Sequence, residues 1–231
     1  MKIVSIDIGE KNFAFSIITV FPKKTQSTEG VENVILDLTE LTVENIYFYD
    51  LLTDPSLKKK KPTIIDSCSK ITHILETTPD IATCTVVLIE QQTQINIRAK
   101  NLAQHIWSYF HTKNLLADTS FSSTSSTSGD RQRAELNHLE RGVPFKLIFV
   151  ASSLKTKCFI KTPLTQAQRK KWTTDAVLKE TIIKLAEQQH VKVKLPKHIL
   201  DAIQNLNKKD DVCDTIVQAI AYLIKHGIKN K

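Results

Sequence analysis

The first twenty residues place a carboxylate inside an apolar run, and this feature constrains the fold more than any other. Residues 2–20 read KIVSIDIGEKNFAFSIITV, with Asp7 near the end of the first apolar run and Gly9 in the turn that follows. Two apolar runs around a tight turn predict a β-hairpin of strands over 2–8 and 12–20. A carboxylate buried in a central strand must be paired, protonated or bound to a cation. An Asp close to a Gly is, however, also an ordinary turn residue.

The rest of the chain predicts strands and helices in an order typical of a mixed α/β fold. Further strands are predicted over 45–52, 84–90 and 144–152, and helices over 63–77, 97–110, 173–189 and about 210–225. Three sequential strands followed by strand–helix alternation predict a mixed five-stranded sheet, first antiparallel and then parallel, flanked by helices. We expect one domain over 1–231, with the Ser/Thr-rich segment at 118–130 as a disordered insertion.

The charge of the chain favours a polyanionic partner. Lys and Arg number 32 against 24 Asp and Glu, a formal net charge of +8, which favours nucleic acid or an anionic membrane surface. No apolar run approaches the ~20 residues of a membrane span, and the charged first stretch does not resemble a signal peptide. We therefore expect no membrane partner. Four scattered cysteines indicate free thiols in a reducing intracellular compartment; they are Cys68, Cys84, Cys158 and Cys213.

Four carboxylates from three separated segments form a candidate metal site. Asp7 ends the first strand, Glu90 ends the fourth in VVLIEQQ, and Asp211 and Asp214 open the last helix in KKDDVCDTIVQA. Carboxylates held together raise one another's pKa unless cations neutralise them. Oxygen ligands of this kind suit Mg²⁺ or Mn²⁺, and two such ions ~4 Å apart recur in phosphoryl displacement.

Each part of this set also has a simpler explanation. Acids in the first turn of a helix complement the helix dipole without any other role. Glu90 can pair with Arg98 as a strand-end residue, and Asp210 suits the N-cap of the last helix. On that helix, Asp211, Asp214 and Gln218 are spaced three and four residues apart, so they are expected to share a face away from the centre of the apolar stripe.

Taken together in this order, the motifs resemble the RNase H-like nucleases, and within them the RuvC-type Holliday junction resolvases of the poxvirus and fungal mitochondrial branch. The resemblance is carried by SIDIGEKNFAFSI, VVLIEQQ and KKDDVCDTIVQA, and spans 2–225 apart from the insertion and the loops near 22–44 and 54–61. It implies an RNase H-like fold and a homodimer that binds four-way DNA junctions. It also implies paired hydrolytic cuts that leave 5′-phosphate and 3′-hydroxyl ends.

The resemblance further implies roles for individual residues. Asp7, Glu90, Asp211 and Asp214 would be catalytic and would hold two Mg²⁺ ions, with Mn²⁺ as a substitute. Basic residues are expected soon after IEQQ, but in this chain the segment TQIN lies between that motif and Arg98 and Lys100. Contacts to phosphates give affinity without sequence information. The expected DNA-binding residues are Lys11, Arg98, Lys100, Lys155, Lys170 and Lys171.

The helix over 97–110 is a candidate for the dimer contact. Its apolar stripe consists of Ala99, Leu102, Ile106 and Phe110, with Trp107 beside it. In the resemblance this helix helps to form the dimer, so part of the stripe is expected between protomers. Periodicity alone is equally compatible with a stripe that faces the core of its own chain.

Three other functions stay open. An actin-like or sugar-kinase-like ATPase would need glycine-rich phosphate loops, but the chain has only five glycines, so we expect no nucleotide cofactor. A non-catalytic DNA-binding module on the same fold would gain from losing acids beside phosphates. Another RNase H-like nuclease could act on RNA–DNA hybrids or in transposition. The resemblance places the activity in a viral factory, the cytoplasm or the nucleus, ahead of a mitochondrion.

Overall fold

A computed structural model describes residues 1–21, 39–53, 62–122, 144–160 and 162–227 of the chain. The strands are β1 (Lys2–Ile8), β2 (Asn12–Phe21), β3 (Thr39–Asp50), β4 (Val86–Gln91), β5 (Lys146–Ala151) and β6 (Val191–Lys194). The helices are α1 (Ile64–Thr77), α2 (Ile97–Ser122), α3 (Leu154–Lys157), α4 (Gln166–Leu178), α5 (Thr181–Glu187), α6 (Lys197–Gln204) and α7 (Lys209–His226). A short 3₁₀ helix covers Pro79–Thr83.

The strands form one mixed sheet in the order β5-β4-β1-β2-β3-β6. The β1–β2 and β2–β3 pairs are antiparallel, whereas β4 pairs with β1 and β5, and β6 with β3, in parallel. The predicted mixed α/β class is confirmed, but the sheet has six strands rather than five. The sequence prediction missed β6 because this strand has only four residues, VKVK, two of them charged.

Helices cover both faces of the sheet. On one face, α1 and α2 pack against side chains such as Val4 and Ile6. On the other face, α4 to α7 pack against side chains such as Ile3 and Ala14. Successive side chains of a strand point to opposite faces, so Asp7, like Ile3, lies on the α7 face. No helix within the described parts of the chain is long and apolar enough to cross a membrane.

The α2 stripe faces the core of its own chain. Ala99, Leu102, Ile106 and Phe110 are all 0% exposed in the single chain. The expectation that part of this stripe lies between protomers is therefore wrong for these four residues. Trp107 is half-buried and stacks on His111, with ring centroids 4.7 Å apart.

Two predicted segments have different boundaries. Helix α2 continues to Ser122, so the expected disordered insertion at 118–130 begins inside a helix, and 123–130 lies outside the described residues. The predicted helix over 173–189 is two helices, because Glu180 adopts a left-handed conformation with φ 55° between α4 and α5. The sequence pattern did not predict this break.

The N-termini of α4 and α7 were also predicted wrongly. Helix α4 begins after Thr165, whose Oγ1 accepts from the Gln168 backbone N–H at 3.3 Å while Gln168 Oε1 accepts from the Thr165 N–H at 2.9 Å. Thr173, expected near the start, lies within the helix and donates to the Arg169 carbonyl at 3.1 Å. A hydroxyl can cap a helix or bond to the preceding turn, so its presence does not locate a helix start. Asp210 is not the N-cap of α7; that position is Lys208.

Candidate active site

Three carboxylates meet at the edge of the sheet where β1 and β4 end. Ile6 of β1 pairs with Ile89 of β4, so the next residues, Asp7 and Glu90, leave the two parallel strands side by side. Asp214 reaches them from the second turn of α7. One carboxylate oxygen from each of the three lies within 4.8 Å of the others. The structure thus brings together three of the four acids expected from the sequence, in an arrangement that could hold a metal ion.

Hydrogen bonds from a glutamine hold α7 against β1, where Asp214 can approach the two strand-end acids. Gln218 Nε2 donates to Ser5 Oγ at 3.2 Å and to the Ile6 carbonyl at 3.3 Å, and all three residues are buried. Since Asp214 lies one turn earlier on the same helix face, these bonds also direct it toward Asp7. Of the three residues expected on one face, Asp214 and Gln218 both lie against β1, whereas Asp211 contacts Asn12 and Lys170 instead.

A lysine lies among the three acids. Lys155 of α3 places Nζ 3.1 Å from Glu90 Oε1 and 2.8 Å from Asp214 Oδ2, with only 6% of its side chain exposed. We call Asp7, Glu90, Asp214 and Lys155 the inner cluster. Because Glu90 pairs with Lys155, the alternative in which Glu90 pairs with Arg98 is wrong.

Burial and charge set the protonation of the inner cluster. Burial, and then the negative charge of Glu90, raises the pKa of Asp7 well above its ordinary value. Burial would also raise the pKa of Glu90, but the charge of Lys155 and hydrogen bonds from Asp7 and Lys155 lower it. Burial would lower the pKa of Lys155, but the surrounding acids raise it. Without a metal, burial and the neighbouring charges therefore favour the neutral form of Asp7 and the charged forms of Glu90 and Lys155.

The fourth expected acid belongs to a separate group. Asp211 Oδ2 accepts from Asn12 Nδ2 at 2.6 Å, and Lys170 Nζ lies 2.6 Å from Asp210 Oδ2 and 3.6 Å from Asp211 Oδ1. We call Asp210, Asp211, Asn12 and Lys170 the outer cluster. Burial, and then the charge of Asp210, raises the pKa of Asp211 against the opposing effects of Asn12 and Lys170.

Both clusters border one cavity of about 550 Å³. The β4–α2 loop forms one side of the cavity, and the first two turns of α4 form another. Three of the residues in the described parts of the chain that line it are basic: Lys155, Arg169 and Lys170. Arg169 lies in the basic cluster Arg169 to Lys171 that the sequence offers to a polyanion, but it is not among the individual DNA-binding residues expected above.

The other expected DNA-binding residues do not line this cavity. Lys11 is exposed with Nζ 3.5 Å from Asp50, and Lys100 is exposed and donates to Gln94 at 2.7 Å. Lys171 is exposed on α4. Arg98 ties α2 to the start of α1 through Nη2, which donates to the Pro62 and Thr63 carbonyls and to Ser67 Oγ.

Comparison with known proteins identifies the fold. No protein-family model matches the sequence, and no curated protein sequence matches it significantly. Among solved structures, the fowlpox virus resolvase in complex with its substrate Holliday junction DNA is similar over 99% of this chain and 100% of that chain, at 16% identity and a TM-score of 0.52. The chain therefore has the fold of that resolvase, and the RNase H-like resolvase fold expected from the sequence is confirmed.

Two further structures are similar at lower scores. The yeast mitochondrial Holliday junction resolvase matches over 96% of this chain and 78% of its own, at 14% identity and a TM-score of 0.48. Thermus thermophilus RuvC matches over 95% of both chains, at 11% identity and a TM-score of 0.41.

Proposed function

We propose that this chain is a structure-selective endodeoxyribonuclease that resolves four-way DNA junctions by paired, metal-dependent phosphodiester hydrolysis. The cuts would leave 5′-phosphate and 3′-hydroxyl ends. The observation that carries the proposal is the meeting of Asp7, Glu90 and Asp214 in one cavity, on the fold of a viral junction resolvase. Buried acids this close together are costly without a cation, so they favour a metal site over a purely structural role.

The donor set fits hard divalent cations. The three converging ligands are carboxylate oxygens, which suit Mg²⁺ or Mn²⁺. We propose that Asp7, Glu90 and Asp214 hold the metal, with Asp211 as the fourth ligand of a two-ion site. When bound, such ions neutralise charge on phosphate oxygens and lower the pKa of water. Lys155 neutralises Glu90 and Asp214 when no metal is bound.

The expected DNA-binding residues divide into two groups. Lys11, Lys100 and Lys171 are exposed, so we propose that they contact backbone phosphates. Arg98, Lys155 and Lys170 are less exposed and are held by partners within the chain, so each would contact DNA only by exchanging one of them. The partners of Lys11 and Lys100, Asp50 and Gln94, leave those two lysines exposed.

Two symmetric cuts require two active sites, so we propose a homodimer. The contact surface must be other than the buried α2 stripe. We place the activity in a reducing intracellular compartment that holds branched DNA, because the four cysteines are free thiols. A viral factory, the cytoplasm or the nucleus fits this proposal better than a mitochondrion.

A cleavage assay on three labelled substrates tests the proposed function. A four-way junction, a linear duplex of the same sequence and an RNA–DNA hybrid are each incubated with Mg²⁺, Mn²⁺, Ca²⁺ or excess chelator. We expect paired cuts of the junction with Mg²⁺ or Mn²⁺, and binding alone with Ca²⁺, whose looser coordination positions the attacking water poorly. Preferred cutting of the hybrid would indicate another RNase H-like nuclease, and binding without any cutting would indicate a non-catalytic module. Full cutting in chelator would refute metal dependence.

A further inference from the structure

The basic residues that line the cavity differ in whether an acid already neutralises them. Lys155 forms ion pairs with Glu90 and Asp214, and Lys170 forms ion pairs with Asp210 and Asp211. Within the described parts of the chain, the Arg169 side chain forms neither an ion pair nor a hydrogen bond. Among the described residues, Arg169 is therefore the cavity cation that no acid holds in an ion pair.

The position of Arg169 follows from the register of α4. Gln166, Arg169, Lys170 and Thr173 line the cavity, and their spacing of three, four and seven residues places them on one helix face. The inner cluster borders the same cavity, and the guanidinium charge contributes to the lowered pKa of Glu90. The helix thus directs a cation toward the acids without bringing it into contact with them.

One atom of this side chain is buried without a partner. Arg169 Nε is shielded from solvent and has no acceptor among the described residues. Leaving a buried donor of a charged group unpaired costs free energy, and a guanidinium has five N–H donors in a fixed fork. The arrangement therefore suits an acceptor with several oxygens that enters the cavity from outside.

We propose that Arg169 binds a backbone phosphate of the DNA strand that enters the cavity. The proposal rests on the proposed function, because it takes the substrate to be DNA, and it assigns to one residue of the basic cluster Arg169 to Lys171 a specific contact that the individual DNA-binding residues expected from the sequence did not include. A phosphate matches the guanidinium fork with two parallel hydrogen bonds, a geometry that a lysine ammonium does not reproduce. It would also compensate the charge that no acid of the cavity pairs with.

Binding measured in excess chelator tests the proposal without any cleavage. The variants are Arg169→Gln, Arg169→Lys and, as a matched loss of charge on an exposed residue far from the cavity, Lys184→Gln on α5. For Arg169→Gln we expect about tenfold weaker binding to a four-way junction. We also expect the slope of log affinity against log salt to fall by about 0.9, the value for one lost phosphate contact. Arg169→Lys should keep the slope and recover only part of the affinity, and Lys184→Gln should match the wild type.

A set of junctions, each with one neutral methylphosphonate near the crossover, identifies the phosphate. We expect one position at which neutralisation weakens wild-type binding but leaves Arg169→Gln unaffected. Equal losses for the wild type and Arg169→Gln at every position, or an unchanged salt slope in Arg169→Gln, would overturn the proposal. A wild-type chain that binds DNA but cuts none of the three substrates overturns the proposed nuclease function alone, since the Arg169 readout is binding.

Discussion

The inner and outer clusters lie one helical turn apart on α7, yet their acids are neutralised in different ways. In the inner cluster, Asp214 is joined by two strand-end acids and by Lys155, whose side chain is 6% exposed. In the outer cluster, Asp211 is held by Asn12 and by Lys170, whose side chain is 41% exposed. The clusters therefore differ in the exposure of their lysines, since the side chains of Asp214 and Asp211 are both 14% exposed. Water reaches Lys170 and helps to screen the outer charges, whereas Lys155 is almost shielded from it.

This difference indicates what each cluster can do. A divalent cation gains most where several carboxylates are buried together with one lysine, because the attraction is screened least there. In the outer cluster, two acids share one lysine and the amide of Asn12, so less negative charge is left for a cation to neutralise. We infer that the inner cluster is the main metal site and that Asp211, the proposed fourth ligand, contributes less to metal binding than the inner acids do.

Removal of one inner carboxylate should have the largest effect. We expect Asp7→Asn, Glu90→Gln and Asp214→Asn each to slow junction cleavage by about 10³-fold or more, because charge neutralisation by the metal is lost. Junction binding should survive, since a negative charge facing phosphate has been removed. Cleavage rate and junction affinity are measured together, with the exposed Asp201→Asn on α6 as the control. Cutting within a few-fold of the wild type by any inner variant would contradict the assigned site.

Removing the lysine of each cluster should destabilise the protein by different amounts. We expect Lys155→Gln to destabilise the metal-free protein by about 3 kcal/mol, since it leaves buried acids without a cation. Lys170→Gln should cost about 1 kcal/mol or less, because that pair is partly exposed. Thermal unfolding in chelator measures both effects, and Mg²⁺ should restore much of the loss in Lys155→Gln. Equal losses of stability in the two variants, with no rescue by Mg²⁺, would contradict the proposed difference between the inner and outer clusters.

The sequence predicted the parts of this site that depend on strand ends. An apolar strand that finishes in an acid appears twice, at Asp7 and at Glu90, and the parallel pairing of β1 and β4 brings both to one edge. The α7 face with Asp214 and Gln218 follows from helical spacing. These features depend on local periodicity, which is visible in a single sequence.

The other features of the site depend on contacts between distant segments, which a single sequence does not show. Lys155 could be named as a basic residue, but its burial between Glu90 and Asp214 requires α3 to pack under α7. Asn12 stood in the first motif, but its bond to Asp211 joins positions 199 residues apart. The basic cluster Arg169 to Lys171 is visible in the sequence, but which of its members lines the cavity depends on the start of α4, which lies seven residues before the predicted one at Thr173.

Replacing Asp211 or Asp210 should reduce the cleavage rate less than replacing an inner acid does. We expect Asp211→Asn to slow cleavage by about 10- to 100-fold, the usual range for groups that support a metal site. Asp210→Asn should slow it only a few-fold, since Lys170 can still reach Asp211. Cleavage rates are measured at saturating Mg²⁺ for both variants alongside Asp214→Asn. If Asp211→Asn is as inactive as Asp214→Asn, Asp211 belongs to the metal site as fully as the inner acids do.

The smallest expected effect concerns the stability of the metal-free protein. The pKa of Asp7 is raised in the folded state, mainly by burial, so its stabilising contribution is complete below the unfolded pKa and is lost as pH rises through the folded pKa. Asn has no proton to lose, so Asp7→Asn should exceed the wild type in Tm by about 2–4 °C at neutral pH in chelator, equivalent to about 1 kcal/mol. The difference should shrink toward about pH 4, where the wild-type carboxyl is neutral in both states, and should reverse in Mg²⁺, which only the wild type binds fully. A lower Tm for the variant at neutral pH in chelator would show that the Asp7 charge is compensated within the inner cluster, and would remove the reason for expecting a cation there.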